Sequence, residues 1–509
     1  MTTKICLIRP SIVVPAHNIT TIFTPPLGLA YVAGALREVG FEVQFIDAVG
    51  DSLDTRHPTD YDCYLYGLSP EQTIKKIDPD TNIIGVGFGF SFEWPTCRDL
   101  VNDIRKKFPD ALLLGGGEHV TAMPEQTMRD SALDIGLLGE GEETAVEVAQ
   151  AYADGTLELT KILGITYVSP SGEVMQNDRR PRVRDLDDIA WPAWDLIPIE
   201  NYLERGYGFG VNRGRSMPIM GSRGCPYQCT FCSNPSMWTT RWIPRDPDLL
   251  LDEMQFYQEK YGAENFDFYD LTAIVKKSWI LDFCRKIEER RMNFTWQLPS
   301  GTRTEAIDGE VASLLYRSGC RNMSYSPESG SPAVLKRIKK KIHPDSVIDS
   351  ISEATKNGMN IKCNIIFGFP GETFKEVCES YWFIARMALA GAFDVSVWAF
   401  SPYPGSELFA EIAGKRGFKM DDDYYNSLRS YADSSSTVSY SEHISNQKLK
   451  RLRTIGVGIF YITSWLRFPI RPFLIIWNLA IGRQESRAEM ALYNVFRRNT
   501  LKSQNPVSG

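Results

Sequence analysis

Residues 224 to 232 read GCPYQCTFC and place Cys225, Cys229 and Cys232 at spacings of four and three. A zinc site closed by protein needs four ligands, and the nearest histidines lie far away in the sequence. Three thiolates instead suit a [4Fe-4S] cluster that leaves one iron free for an outside ligand. The free iron can bind S-adenosylmethionine and deliver an electron to its sulfonium, which yields a 5′-deoxyadenosyl radical.

The three cysteines follow the first of six strand–helix units that we predict between residues 216 and 405. The predicted strands are MPIMGSR, NFDFYDL, NFTWQLPS, RNMSYSPES, IKCNIIFGFP and FDVSVWAFSPYP. Six units fall short of the eight in a closed barrel, so the pattern predicts an open, partial (β/α)6 barrel. Its chemistry is expected at the carboxyl ends of the strands, where the cysteine loop lies.

Residues 4 to 145 alternate short apolar runs with amphipathic stretches, which predicts an α/β domain with a doubly wound, Rossmann-like parallel sheet. The loops after three of its strands read GFGFS, GGGEHVT and GEGEET. A tight turn would explain one such loop, but three glycine-rich loops at strand ends indicate a bound ligand.

These motifs resemble a known family. GCPYQCTFC, including Phe231, resembles the radical S-adenosylmethionine signature. PPLGLAYVAGALREVGFEV, GGGEHVTAMPE and GLLGEGEET resemble the cobalamin-binding domain that is often fused ahead of it. The resemblance implies a cobalamin held between the first domain and the barrel, beside the cluster and S-adenosylmethionine. The residues it suggests for cobalamin binding are Gly115, Gly116, Glu118, His119, Gly139, Glu140 and Gly141.

The resemblance also suggests contacts to S-adenosylmethionine in the barrel. In SPESGS, Glu328 is expected to contact the methionine part. In NIIFGFPGET, Ile365, Gly368 and Gly371 are expected to contact the adenine. FDFYDL offers Tyr269 and Asp270 at the end of the second strand, and FSPYPGSELF resembles a segment near the substrate pocket. Glu328 and Asp270 could alternatively be salt-bridge partners on the barrel rim.

One feature departs from the cobalamin-binding pattern. No Asp-x-His-x-x-Gly motif is present, and His17 in SIVVPAHNITT lacks an acidic residue two positions before it. His119 is expected beside the corrin or nucleotide rather than under cobalt. We therefore expect that no protein histidine ligates cobalt and that the lower axial position is empty, water-filled or shielded.

Composition narrows the class of protein. The chain has 509 residues, of which 43% are hydrophobic and 23% charged, as in globular proteins, and its net charge of −7 gives no support for nucleic-acid binding. Ten cysteines are few for a disulfide scaffold, and no secretory signal is evident at the start of the sequence. These features predict a reducing, cytoplasmic location.

The expected domains are a cobalamin-binding domain (1–150), a connector (151–205), the barrel (206–430) and a C-terminal helical region (431–509). Residues 454 to 482 are strongly apolar but are interrupted by arginines and prolines between 467 and 472. Each half is too short for a membrane span of ~20 residues. The segment suits either a peripheral membrane contact or a helical pair packed on the open barrel edge, and it favours a lipophilic small-molecule substrate.

The favoured function is a methyltransferase that moves a methyl group from methylcobalamin to an unactivated carbon of an apolar or amphiphilic substrate. The alternative is radical-initiated oxidation or ring formation, as in the anaerobic magnesium-porphyrin cyclase of the same family. A cobalamin- or redox-sensing module is a third hypothesis, against which the intact cysteine triad counts. Either catalytic function needs an electron donor such as flavodoxin or ferredoxin.

Overall fold

The computed structural model describes residues 3–16, 23–431, 437–486, 488–490 and 492–493; His17 lies outside these residues. The first domain is built on a seven-stranded sheet with the order β10-β9-β8-β7-β6-β1-β3. Its strands are β1 (Lys4–Arg9), β3 (Glu42–Asp47), β6 (Ile83–Phe88), β7 (Leu112–Gly117), β8 (Ile135–Leu137), β9 (Ile165–Val168) and β10 (Val174–Gln176). A smaller antiparallel sheet, which the sequence did not predict, contains β2 (Ile12–Pro15), β4 (Arg56–Thr59) and β5 (Cys63–Tyr66).

The five strands β3, β1, β6, β7 and β8 run parallel, which confirms the doubly wound fold. The hairpin β9–β10 then adds two antiparallel strands beside β8, so this sheet extends beyond residue 150. The helices of the domain are α1 (Leu27–Glu38), α2 (Pro70–Lys75), α3 (Trp94–Lys107), α4 (Glu118–Ala122), α5 (Pro124–Asp130) and α6 (Glu142–Ala153). Separate buried clusters around Val101 and Val148 form its core, as expected when both faces of a sheet are covered.

The connector contains α7 (Ile199–Leu203) and leads into a second sheet of six parallel strands in chain order. These strands are β11 (Ser216–Ile219), β14 (Asn265–Phe268), β15 (Thr295–Thr302), β16 (Cys320–Glu328), β17 (Asn360–Phe367) and β18 (Asp394–Ala399); β12 (Ser222–Arg223) and β13 (Ile243–Pro244) form a separate short pair. The six strands of the parallel sheet match the six predicted strands in position, so the partial barrel is confirmed.

Helices follow the barrel strands. Five of them pack side by side along the sheet: α9 (Pro247–Tyr261), α10 (Lys277–Glu289), α11 (Gly309–Arg317), α13 (Pro344–Lys356) and α14 (Phe374–Ala390). The others are α8 (Asn234–Trp238), α12 (Pro332–Arg337), α15 (Glu407–Arg416) and α16 (Asp422–Ser427), of which α16 packs against α3 of the first domain. α14 begins with a capping box, in which Thr373 and Glu376 satisfy each other's backbone amides, and ends at Gly391 in the left-handed conformation. These local signals fix the helix that lies between the last two strands.

The chain ends in α17 (Asn446–Arg467) and α18 (Arg471–Ala480). α17 packs on β18 and α14 through buried side chains that include Leu449, Leu452 and Phe460, so it covers the open barrel edge. Among the described residues, no single helix has the length and hydropathy of a membrane span; α17 and α18 pass that test only together, and they are bent by 101°.

Candidate active site between the two domains

A cavity of about 480 Å³ lies between the first domain and the barrel. One wall is formed by the strand ends and first turns of the first domain, including Gly116, Glu118 and Gly141. The opposite wall comes from the barrel, where Met237 and Trp238 follow the cysteine loop directly. The cavity therefore joins the predicted cobalamin site to the neighbourhood of the predicted cluster.

The cavity continues as an apolar slot between the first sheet and helices α1 and α6, along Leu7, Val32 and Ala145. Cβ atoms placed at Gly116 and Gly141 would meet nothing in the protein closer than 3.6 and 3.5 Å. Side chains at both positions would therefore extend into the slot. A flat, apolar group such as the dimethylbenzimidazole base of cobalamin fits this lining.

Gly117 differs from its neighbour Gly116. Its φ is +128°, and a Cβ there would lie 2.2 Å from the carbonyl oxygen of Phe88. At Gly115 only the backbone borders the cavity, since a Cβ there would point away from the slot and meet Leu133 and Phe88. Of the predicted cobalamin residues, Gly115, Gly116, Glu118, Gly139, Glu140 and Gly141 line the cavity.

His119 does not line the cavity. Its ring is fully buried, stacks on Trp94 at 4.6 Å between centroids and meets Tyr425 edge-on, while Nδ1 lies 3.1 Å from Ser91 Oγ. Burial lowers the pKa of this imidazole to about 3, so the ring is neutral. No histidine is among the described residues that line the cavity.

Glu140 and Glu118 join the two domains. Arg223, which directly precedes the cysteine motif, donates to Glu140 at 3.1 Å and to Glu142 at 2.8 Å. Burial alone would raise the pKa of Glu140, but the charges of Arg223 and Arg182 outweigh it and hold the pKa below its ordinary value. Glu118 accepts a hydrogen bond from Ser233, the residue after Cys232. These side chains therefore bind the cysteine loop to the first domain.

The three cysteines lie in the loop after β11 and are partly buried. Burial raises the pKa of each thiol, that of Cys232 to about 12, and the nearby charges of Lys340 and Arg303 oppose this rise at Cys225 and Cys229. Among the described residues, no three His, Cys, Asp or Glu side chains converge closely enough for a single metal ion. The donor set is three thiols beside two cations, which suits an anionic iron–sulfur cluster better than a mononuclear site.

Glu328 lies next to this loop, at the end of β16. Its carboxylate is buried and accepts a hydrogen bond from Lys340 Nζ at 3.1 Å, so the predicted rim salt bridge is present. Arg303, at the end of β15, stacks over the ring of Tyr227 inside the cysteine motif at 3.8 Å. Lys340 and Arg303 were missed in the sequence. Arg303 could have been found as a charged residue just past a predicted barrel strand, whereas Lys340 is hidden in a run of lysines.

The end of β17 meets the cysteine loop through aromatic contact. Phe231 packs against Phe369 at 5.7 Å between centroids, and Ile365 is paired in register with Glu328. Gly368 and Gly371 both have positive φ. Glu372, a further missed residue, accepts the amide hydrogen of Gly368 at 2.5 Å and holds this loop in shape.

The hydrogen bonds of Asp270 are made to the protein's own backbone and side chains. Its carboxylate is buried and accepts hydrogen bonds from the amide of Gly221 and from the hydroxyl of Ser222, at 3.0 and 2.5 Å. Burial raises its pKa to about 6. Asp270 thus supports the strand end that leads into the cysteine loop rather than forming a rim salt bridge. Tyr269, in contrast, lines the cavity.

Two family descriptions match the chain. The radical SAM superfamily matches residues 219–384, and the B12 binding domain matches residues 21–149. An uncharacterized methyltransferase of Pyrococcus horikoshii is 31% identical over 408 residues, which cover 80% of this chain and 82% of the relative. The fold and site thus define a radical S-adenosylmethionine enzyme with a cobalamin-binding domain.

Two further relatives and one solved structure are similar to the chain over most of its length. The cytidylyl-2-hydroxyethylphosphonate methyltransferase of Streptomyces wedmorensis is 28% identical over 449 residues, covering 82% of each chain. The anaerobic magnesium-protoporphyrin IX monomethyl ester cyclase of Rubrivivax gelatinosus is 26% identical over 400 residues, covering 77% of this chain and 67% of the relative. The solved radical S-adenosylmethionine methyltransferase TsrM of Kitasatospora setae shares the fold, with a TM-score of 0.63 and 19% identity over 82% of this chain and 75% of TsrM.

The chain belongs to the family of cobalamin-dependent radical S-adenosylmethionine enzymes, in its methyltransferase group. Its cofactors are a [4Fe-4S] cluster, S-adenosylmethionine and cobalamin.

Proposed function

We propose that this enzyme transfers a methyl group carried by cobalamin to a carbon atom of a lipophilic small molecule. The observation that carries the proposal is the cavity between the domains, because one of its walls belongs to the cobalamin-binding domain and the other continues directly from the cysteine loop. A substrate in this cavity would thus lie between the methyl carrier, cobalamin, and the site where the radical forms.

Different residues bind each of the three groups: the cluster, cobalamin and S-adenosylmethionine. Cys225, Cys229 and Cys232 hold the cluster, and Gly116 and Gly141 leave room for cobalamin. Glu328, Lys340 and Arg303 supply opposite charges for the amino and carboxylate groups of S-adenosylmethionine. Ile365, Gly368 and Gly371 face its adenine. When bound, these groups supply the methyl donor and a 5′-deoxyadenosyl radical that abstracts hydrogen from the acceptor carbon.

Product analysis tests the chemistry. Methyl transfer with radical activation forms S-adenosylhomocysteine together with 5′-deoxyadenosine, and a deuterated methyl group on S-adenosylmethionine should appear in the product. Oxidation or ring formation, as the cyclase relative's name describes, would form 5′-deoxyadenosine alone. Neither product, from protein with a full complement of both cofactors, would indicate sensing and contradict the proposal. Cys229→Ala serves as the blank for radical formation.

The lipophilic substrate is supported by the cyclase relative, which by its name acts on a magnesium porphyrin ester. The phosphonate methyltransferase relative acts on a polar, nucleotide-linked molecule, so a matched substrate panel is needed. We expect turnover with porphyrin esters or polyprenoid lipids and none with cytidylyl phosphonates. The reverse result would remove the lipophilic part of the proposal and leave methyl transfer intact.

We infer a cytoplasmic setting, with flavodoxin or ferredoxin as electron donor and a peripheral contact to the membrane. The free cysteines and the oxygen-sensitive cluster favour a reducing compartment. We further propose that no histidine of the protein ligates cobalt. An electron paramagnetic resonance spectrum of the cobalt(II) form without nitrogen splitting from the protein is expected, and such splitting would contradict it.

A further inference from the structure

Helix α18 is apolar yet has no buried residue. It reads RPFLIIWNLA, and Phe473 and Trp477 are 70% and 63% exposed. One face of α17 from Ile455 onward and the residues between α17 and α18 continue this exposed apolar surface. The surface, called here the α17–α18 patch, consists of Ile455, Ile462, Trp465, Leu466, Ile470, Phe473, Leu474, Ile476, Trp477 and Ile481. A patch of this composition is unusual on a monomer that meets only water.

The patch lies at the end of the barrel opposite the cysteine loop. α17 runs antiparallel to β18: Leu449 packs near Gly368, at the end of β17, whereas Tyr461 donates to Asp394, where β18 begins. α18 lies farther still from the cysteine end, next to the loop before β18. α17 carries the apolar segment the full height of the sheet away from the cysteine end, so the segment does not reach a substrate bound at that end.

α18 is held firmly in this position. The guanidinium of Arg471 donates to the carbonyls of Gly391 and Ala392 and to Ser464 Oγ, each at 2.7 Å. It also lies 4.1 Å from the ring centre of Phe468. The exposed face is thus a fixed surface of the barrel rather than an unattached helix.

The exposed charged side chains within residues 446–486 are cations. Lys448, Lys450 and Arg451 lie at the start of α17, at the other end of the barrel, whereas Arg467 and Arg483 lie beside the patch. The whole chain, in contrast, has a net charge of −7. Arg467 and Arg483 flank α18 at its two ends. Arg483 pairs with Glu485 at 2.6 Å, so the exposed Arg467 is the main positive charge at the border of the patch.

We infer that the α17–α18 patch docks on the surface of an anionic lipid bilayer. Tryptophans and arginines beside a short apolar helix are typical of helices that lie in the membrane interface. A symmetric contact with a second copy would bring each patch against another whose helices α17 and α18 contain no acidic residue to pair with Arg467. The 101° bend excludes a straight span through the membrane. The inference deepens the proposed membrane contact and rests on that proposal.

Co-sedimentation of the full-length protein with vesicles tests the inference. Binding is expected to vesicles of phosphatidylcholine and phosphatidylglycerol in equal parts and to be much weaker with phosphatidylcholine alone. The double variant Phe473→Ser, Trp477→Ser should bind about tenfold more weakly, and Arg467→Glu should lose most of the preference for the anionic lipid. Trp382→Ser is the matched control, because Trp382 on α14 is 65% exposed and should be dispensable.

Cobalamin and iron content of each variant, measured alongside, show that the fold is retained. Equal vesicle binding by wild type and the folded double variant would overturn the inference. A wild type that binds no vesicles, and that light scattering shows to be a dimer which the double variant converts to monomer, would assign the patch to a second copy. Vesicle binding without methyl transfer would leave this inference standing while the proposed function failed.

Discussion

The chain has ten cysteines, and their environments differ sharply. Cys225, Cys229 and Cys232 share one partly buried loop, whereas Cys378 is exposed on α14 and the other six are buried singly. Alanine at all three loop positions should abolish the brown absorbance and the iron of anaerobically reconstituted protein, because no thiolate ligand remains. Cys378→Ala should leave both unchanged. Retention of about four irons by the triple variant would refute the assignment.

Gly116 allows a test of cobalamin binding at a single position. A Cβ there has only ordinary contact, with Leu137 Cβ at 3.6 Å, and the backbone is not in the left-handed region. Gly116→Leu should therefore fold normally while its side chain fills the slot and lowers cobalamin content at least about tenfold. Gly116→Ala is the matched control, expected to fold equally well and to retain more cobalamin. Equal content in the Leu variant and wild type would contradict the placement.

Glu372 should make stability depend on pH. Burial raises its pKa to about 7, so the folded protein holds a proton that the unfolded chain releases above its ordinary pKa of 4.5. The stability gained from that proton is complete below pH 4.5 and is lost as pH rises through 7. Glu372→Gln should thus raise the melting temperature of cofactor-free protein relative to wild type, on the order of 1–3 °C more at pH 8 than at pH 5.

Glu376 supplies a control of opposite sign for this measurement. A hydrogen bond from Arg337 lowers its pKa to about 2, so its stabilising effect is present above pH 4.5 and is lost only as pH falls through 2. Glu376→Gln should lower the melting temperature by a nearly constant amount between pH 5 and pH 8. A pH-independent difference for Glu372→Gln as well would contradict the raised pKa.

At the level of elements, Arg223 ties the strand end before the cysteine loop to the start of α6. Arg223→Met would leave Glu140 and Glu142 buried without this partner, at a cost of ~3–5 kcal/mol. We expect a lower melting temperature together with reduced cobalamin content. Adding Glu140→Gln and Glu142→Gln should recover part of the stability, because the buried charges are then removed as a set.

An exposed ion pair provides the comparison for Arg223. Arg129 and Glu125 form an i,i+4 pair on α5 with both side chains more than half exposed. Arg129→Met should change the free energy of unfolding by less than ~0.5 kcal/mol and leave cobalamin content unchanged. Equal losses of stability in Arg223→Met and Arg129→Met would show that the buried ion pairs between the domains stabilise the protein no more than an exposed pair does.

For the whole molecule, α17 is part of the barrel rather than an appendage. Leu449, Leu452 and Phe460 are buried against it, and each contributes ~1.5–3 kcal/mol by leaving water. Arg453 adds a buried hydrogen bond to the carbonyl of Val397 at 3.0 Å. Truncation after residue 445 should therefore expose β18 and cause aggregation or cluster loss, measured by light scattering and iron content. Full turnover by a soluble truncated form would contradict this role.

Several features of the site followed from short sequence patterns. The spacing of Cys225, Cys229 and Cys232 predicted a cluster, and apolar runs separated by helical stretches predicted all six barrel strands, which the structure contains. Glycine-rich loops after strands are encoded within a few residues, and they pointed to Gly116 and Gly141, which line the cavity. Patterns of this kind reflect backbone geometry and local periodicity, which neighbouring residues determine by themselves.

The sequence alone thus determined the two domain folds and the cofactor set, and it predicted which cysteines bind the cluster. Only the tertiary structure decided that Glu140 pairs with Arg223, 83 residues away, and that His119 is buried against Trp94 instead of lining the cofactor cavity. It also decided that α18 lies at the barrel end away from the cluster. Burial and charge pairing depend on distances in space between residues remote in the chain, and no local pattern carries those distances.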